Sequence, residues 1–435
     1  MPVKVLASFL AALFLLAIPG CNGSREMDQM AFVAALGLDV GQGNALEVSF
    51  AISNPMVIAG GSSSSDGGGG GPGGKPTLVA GVEAPSVDAA INLINSSLSR
   101  RVTLEQMKAV FISERLARQG VRPVLLAMLR YPEFRDTAFV FVNRGRTADL
   151  LQKNKPYMET TPAKQFELVM SNGKRTGHFP YIQLKAFLNA MESHGTNAIA
   201  PLAAINPSVN QRKKGLTGQA GPAPAAEKPY LAGQVPAIGN NPFEIMGTAV
   251  FRGDQLVGFL DGESTRMLLM LRGEFEQAIF TLPDPRAPGN QVVLLVRQRQ
   301  KPSVTVESSE QGFKVNEKIA LEYDLESVQS GQTYECPSQS GQIDRLLADF
   351  VQQKATGVIQ LAQRRYRSDI LRWGLYAAHT VPTWDEWEKL NWQSQFPGAS
   401  VDVTVSASMR RPGMLLDTGT NLEDKQKCLS LPTLK

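Results

Sequence analysis

The chain has 435 residues, of which 43% are hydrophobic and 19% charged. That is the make-up of a folded protein, and the length calls for two or three domains. The formal charge is +4, falling to about +3 if an N-terminal signal is removed (44 basic residues less Lys4, against 40 acidic ones), which excludes an electrostatic case for nucleic acid.

Met1 to Gly20 reads as a secretory signal. Lys4 supplies the positive start, and Val5 to Ile18 is an almost unbroken apolar run. Such a run suits a signal core and is short of the about 20 residues that a membrane-spanning helix needs. It ends in Ile18-Pro19-Gly20-Cys21, a pattern like the bacterial lipobox. There the thiol takes a diacylglycerol and the cysteine becomes the acylated first residue. The alternatives are an uncleaved signal anchor and an ordinary secreted protein with a chance cysteine. Each buried methylene contributes about 0.8 kcal/mol, and one chain alone holds only marginally. A lipoprotein carries at least two acyl chains, such as palmitate, so the mature protein is expected to stay on the membrane, soluble and facing outward. No later segment has 18 apolar residues in a row.

Two further cysteines, Cys336 and Cys428, lie late in the chain. Outside a reducing cytosol they allow either a disulfide or two isolated thiols. Without a CxxC pair or a Cys/His cluster, no zinc site is supported.

After a tether at Ser24 to Gln29, Met30 to Asp39 is largely apolar. Leu46, Val48, Phe50 and Ile52 then alternate with polar residues around a Gly41-Gln42-Gly43-Asn44 turn, which predicts a β-hairpin. The Gly41-x-Gly43 pair lacks the third glycine and the helix of a dinucleotide loop. Residues 60–74 are nearly pure Gly and Ser, a flexible insertion. Their end mimics a P-loop by spacing, but Pro76 stands where magnesium needs a hydroxyl. A helix follows from Ser86, its N-cap, to Leu98. Then come a buried strand at Met107 to Ile112, a short helix from Ser113 stopped at Gly120, a helix at Val124 to Arg130, an apolar strand at Ala138 to Val142 and a helix at Arg146 to Leu151. Strands alternating with helices predict a mixed sheet with helical cover.

Ala163 to Met170 and Tyr181 to Met191 read as helices of a small middle unit. Asn206 to Asn241 is rich in Pro, Gly, Ala, Gln and Lys and reads as a linker. Beyond it, Thr248 to Phe251 and Leu256 to Leu260 form a hairpin, and Asp261 caps a helix from Ser264 to Leu271. Strands are expected at Val292 to Val296 and from Val304. Phe313, Val315, Ile319, Leu321, Tyr323 and Leu325 make a long amphipathic strand, and Val401 to Met409 another. Between them Ile343, Leu347, Phe350, Val358 and Leu361 fall at helical spacing. The expected fold class is α+β. A signal covers 1–20, an α/β unit 21–155, a helical unit 156–206 and a linker 207–240. The final unit, 241–435, packs an antiparallel sheet with one wet face against a long helix.

Catalytic signals are few. His178, His194 and His379 share no motif with a nucleophile or acid pair. Asp385, Glu386 and Glu388 among Trp384, Trp387 and Trp392 resemble a sugar-cleaving pair. The spacing fits better a helix with Trp384 and Trp387 buried and the acids in water. Arg364-Arg365-Tyr366-Arg367 reads as a solvated helix end favoured by the helix dipole, with contact to anionic lipid or a partner as the alternative.

Four stretches carry a resemblance to a known family. They are Gly20-Cys21 with Arg25-Glu26 and Ala31 to Asp39; Phe111 to Gly120 with Leu129 to Arg135; Ala249 to Gly258; and Asp369 to Gly374, leading to Val401 to Val405 and Arg410 to Gly413. Together they resemble the Ger(x)C family, the lipoprotein C subunits of nutrient germinant receptors in bacterial endospores. The chain departs from the family in the 60–74 insertion, the loose 207–240 linker and the lack of a tryptophan just after Cys21. The resemblance implies a non-catalytic subunit without cofactors, a fold of mixed α and β in three parts, and partnership with an A subunit and a transporter-like B subunit at the spore inner membrane. It assigns no ligand contact to any residue. The competing class is a lipid-anchored envelope enzyme or solute-binding lipoprotein. The missing catalytic motifs and the absence of two similar βα lobes speak against it.

Overall fold

Apolar runs too short for helices build the first sheet. In the computed structural model, which describes residues 27–55, 57, 75–159, 161–210, 229–310, 312–334 and 337–412, β1 (Met30–Val40), β5 (Ala109–Ser113), β6 (Phe139–Asn143) and β7 (Ile199–Ile205) run parallel side by side. Every residue of β5 and β6 is buried. Strands covered on both faces read as continuous hydrophobic runs rather than alternations. On one side β2 (Leu46–Ser53) and β3 (Thr77–Ala84) extend the sheet as antiparallel neighbours, and β4 (Arg101–Thr103) pairs with the start of β1. On the other side β8 (Phe243–Arg252) and β9 (Gln255–Leu260) complete a nine-stranded sheet.

Helices cover both faces. The first face carries Phe111 and Phe141, covered by α4 (Thr147–Lys153) through Leu150 and Leu151 and by α5 (Pro162–Thr176) through Phe166. The second carries Val110, Ile112, Val140 and Val142 against α1 (Val87–Asn95), α2 (Glu114–Gln119), α3 (Arg122–Met128) and α6 (Leu184–Glu192). Local chemistry sets the helix starts. Ser86 accepts from Ala89 N, Ser113 accepts from Leu116 N, and Asp261 accepts from Ser264 N before α7 (Gly262–Leu271), as capping side chains do. Gly120 ends α2 at φ +123°, where a Cβ would lie 2.8 Å from Asp254 Oδ2. Only glycine suits that conformation and that approach.

The second sheet comprises β10 (Gln277–Pro283), β11 (Gln291–Gln298), β12 (Ser303–Ser309), β13 (Gly312–Val328) and β14 (Ser400–Arg411). The first four pair antiparallel, as the alternation predicts. β14 lies parallel to β13 over its whole length, from Lys314↔Ser400 to Asp324↔Arg411. Alternation reports a wet face but not strand direction. The crossover through α8 (Pro337–Gln360) allows the parallel pairing. Arg297 and Arg410 both clamp Asp324, and the Arg410 hydrogen bond leads in holding its carboxyl down at about 2. Ile343, Leu347, Val351, Ala355 and Val358 turn one stripe of α8 into the core.

Two expectations meet the structure differently. The 248–260 hairpin, expected to open the final unit, belongs to the first sheet, and β7 lies in the stretch expected to be helical. The boundary expected at 240/241 therefore falls between two paired strands of one sheet. A Pro/Gly-rich connection looks the same whether it joins two domains or two neighbouring strands.

Candidate functional site: a buried latch between the sheets

Cys21, Cys336 and Cys428 lie outside the described residues, as does the 60–74 insertion. The three histidines are far from one purpose. His379 is exposed, and His194 is exposed with its ring 5.7 Å from that of Trp384. His178 is largely enclosed and contacts Arg266 Nη2 at 3.0 Å. Burial, with the Arg266 charge beside it, pushes its imidazole down to about 4. Among the described residues there is no cluster of three His, Cys, Asp or Glu able to hold a metal, and no helix long and apolar enough to cross a membrane.

The tryptophan-flanked acids lie in water, as the helical reading predicts. Asp385, Glu386 and Glu388 are exposed on α10 (Trp384–Leu390). Trp387 is buried, but Trp384 is 62% exposed and donates to Glu388 Oε1 at 3.0 Å. This corrects the expected burial of both: Trp384 sits in the first turn of a seven-residue helix, beyond the edge of the core. Arg364 and Arg365 are exposed on a π-helical turn, Leu361–Tyr366, that ends α8, and Arg367 is exposed just after it. Tyr366 between them is buried and donates to Phe259 O at 2.7 Å.

That tyrosine begins a stretch where polar groups converge inside the molecule. The chain from Tyr366 to Gly374 returns to the first sheet after α8. Ser368 Oγ donates to Phe251 O at 2.5 Å, and Asn197 N donates to Asp369 O at 2.8 Å. Arg272 Nη1 donates to Ile370 O at 2.7 Å. The Asp369 side chain is fully buried and organises the turn. Its Oδ1 accepts from Leu371 N, and its Oδ2 from Gly374 N and Trp392 Nε1, both at 2.8 Å. Trp373 Nε1 donates to Glu317 Oε2 at 2.7 Å. Trp373, Trp392 and Phe396 pack around these carboxyls in α9 (Gly374–Ala377), α11 (Trp392–Gln395) and their connections. A Cβ on Gly374 would collide with the backbone of Gly195 and the Trp392 ring.

Electrostatics mark the same place. Burial pushes Glu317 up to about 8, the Trp373 hydrogen bond opposing and the nearby Asp369 adding to it. Burial also raises Asp369 against its four hydrogen bonds. Glu317 Oε1 has no hydrogen-bond partner among the described residues. Perturbed carboxyls occur in catalytic sites and in structural networks alike. Here Glu317 is 1% and Asp369 0% exposed, so no substrate reaches either. The arrangement binds the chain to itself: it latches the second sheet to the first.

A smaller cluster secures the carboxyl end of the parallel strands. Asp39 Oδ1 accepts from Ser113 Oγ at 2.7 Å and from Arg115 Nη2 at 3.1 Å. Arg115 Nη2 also donates to Val40 O at 2.7 Å. Val121 N donates to Asp254 O, so the segment after α2 holds the turn between β8 and β9. The described parts of the stretches singled out by resemblance thus supply structural joints, through Asp39, Ser113, Arg115, Asp254 and Asp369. Sequence reading found Asp369 only as part of a motif and passed over Glu317, Arg272 and Glu274. Glu317 had a signal: it occupies a dry-face position in the alternation of β13, between Val315 and Ile319.

Comparison with known proteins agrees with this frame. Residues 23–205 match a family model described as the spore germination protein N-terminal domain, and residues 246–413 one described as spore germination B3/GerAC like, C-terminal. The chain is 22% identical over 412 residues to the spore germination protein YfkR of Bacillus subtilis (strain 168), covering 94% of this chain and 97% of that one. It is 24% identical over 216 residues to spore germination protein KC of the same organism, about half of each chain. The crystal structure of the GerBC protein superposes with a TM-score of 0.51 at 13% identity, covering 88% of this chain and all of that one, which supports a shared fold.

Proposed function

Because this chain belongs to the GerAC-like family of spore germination proteins, we propose that it is the lipid-anchored, non-catalytic subunit of a nutrient germinant receptor. It is held through acyl chains on Cys21 to the outer face of the spore inner membrane. It works there beside an A subunit and a membrane-embedded B subunit. The observation that carries this reading is the pair of family matches, which together span most of the chain in order. The buried polar groups are consistent with it, since they are spent on holding the fold together.

Lipid attachment is then the essential chemistry of the chain. Cys21→Ala removes the thiol that accepts the lipid. Without acyl chains a net charge this small gives no strong attraction to a bilayer. The local concentration near membrane partners falls, and assembly with it. Cys21→Ala spores are expected to respond poorly to nutrients while still germinating with agents that bypass receptors. Membrane fractionation of the protein accompanies the germination assay. A normal nutrient response from a protein shown to be unanchored would sink the proposal.

A further inference from the structure

Beside the latch lies a cleft of about 430 Å³ between α6 and the segment that carries Arg372. Its polar lining includes Asn189, Asn197, Arg272, Glu274 and Arg372. Arg272 is almost fully committed: Nε and Nη2 hold the two Glu274 oxygens at 2.9 and 3.1 Å, and Nη1 holds Ile370 O. Arg372 differs. It gives Nη1 to Glu274 Oε1 at 2.7 Å, and its Nε and Nη2 have no partner among the described residues. Its side chain is 42% exposed.

The backbone of Arg372 is unusual too, at φ +70°. A non-glycine residue rarely adopts that conformation and keeps it only where the surroundings over-determine it. Here the Asp369 turn imposes it. The turn therefore presents this guanidinium to the cleft. Burial alone would raise the Glu274 carboxyl, but Arg272 and then Arg372 overcome it and hold it below its usual range. The cleft thus contains two guanidiniums against one carboxylate, a net positive charge. An adjoining cavity of about 280 Å³ shares Glu274 and Tyr181 and adds Lys174, which Glu276 offsets at 3.4 Å. Cavities of this size at the junction of two units, with a few convergent polar groups, are where small ligands bind.

We propose that this cleft binds a small organic carboxylate, with Arg372 as the residue that takes the carboxylate group. The inference does not depend on the receptor reading. Arginine fits this role because its planar fork matches a carboxylate with two parallel hydrogen bonds.

The probe is succinate, titrated calorimetrically into the full chain in detergent, with 1,4-butanediamine and 1,4-butanediol as dication and neutral controls of similar length. Succinate is expected to bind saturably and the controls not. Arg372→Gly removes the fork while suiting the left-handed backbone, and should weaken succinate by about tenfold or more, the worth of a charged hydrogen-bonded pair. Glu274→Gln frees both guanidiniums from their internal carboxylate and should tighten succinate instead. Near-UV circular dichroism from Trp373 and Trp392 monitors folding of both variants. No saturable binding by the native chain overturns the proposal, as does equal affinity in folded Arg372→Gly. Should that variant not fold, an unchanged affinity in Glu274→Gln overturns it and a tighter one supports it.

Discussion

The two sheets bury themselves in different ways. In the first, neighbouring residues of one strand point into two cores: Phe141 stacks on Phe111 at 4.7 Å on one face, while Val140 and Val142 sit in the core on the other. In the second, β13 sends Val315 and Ile319 inward and Lys314 and Lys318 outward. A fully covered strand has no tolerant position, whereas a half-covered one has a tolerant position at every second residue. Sequence variation is therefore expected to spread over β13's wet face, except at Asp324 between its two arginines, and to be resisted throughout β6.

The largest expected effect tests the two-sided strand. Phe141→Ala should cost about 3–5 kcal/mol and its neighbour Val140→Ala about 2 kcal/mol, both read by urea unfolding. If Val140→Ala is neutral, the strand is covered on one face only and the contrast fails. An intermediate effect is expected where the sheets join, and it depends on pH. Glu317 titrates near 8 in the folded chain against 4.5 for an unperturbed carboxyl. The folded state thus binds this proton more tightly. The stabilisation is complete below about pH 4.5, declines as the unfolded chain ionises, and is gone once pH has risen through 8. Glu317→Gln keeps an acceptor for Trp373 and cannot ionise. The melting temperature of the native chain should therefore fall more steeply than that of Glu317→Gln between pH 5 and 8. Parallel curves would mean that the carboxyl is not protonated in the fold. The smallest effect sharpens the one-sided case. Val315→Ala should cost about 2 kcal/mol and the adjacent Lys314→Ala under about 0.5 kcal/mol. Equal costs would show that the outer face of β13 is covered.

Much of this was legible in the residues. Period-two alternation located β13 and β14, and apolar runs located β5 and β6, because burial on one face or two leaves those patterns. Ser86, Ser113 and Asp261 announced helix starts, since capping is a local act. What failed to show was whatever depends on distant partners. β7 carries Pro201 among six small or branched residues, and only its neighbours β6 and β8 make a strand of it. β10 was missed for the same reason: its short alternation acquires meaning beside β11. The latch was half legible. Asp369 lies in a recognised stretch, but Arg272 and Glu274 come from about 100 residues earlier, and nothing local ties them to it. Glu317 is legible as a charge on a dry-face position.

The parallel placement of β14 bears on how the chain reaches its fold. β13 is complete at residue 328, yet the strand that flanks it along eleven residues is not made until 400–411. The segment between them includes α8 and the Tyr366–Gly374 return to the first sheet. Loops this long must close before the pairing can form, which slows folding and leaves an unpaired edge open to other chains meanwhile. A chain emerging in order from a ribosome cannot finish its second sheet until residue 411 is out. Refolding should accordingly show a slow phase that disappears when β14 is deleted, together with a rise in self-association through the bare edge of β13.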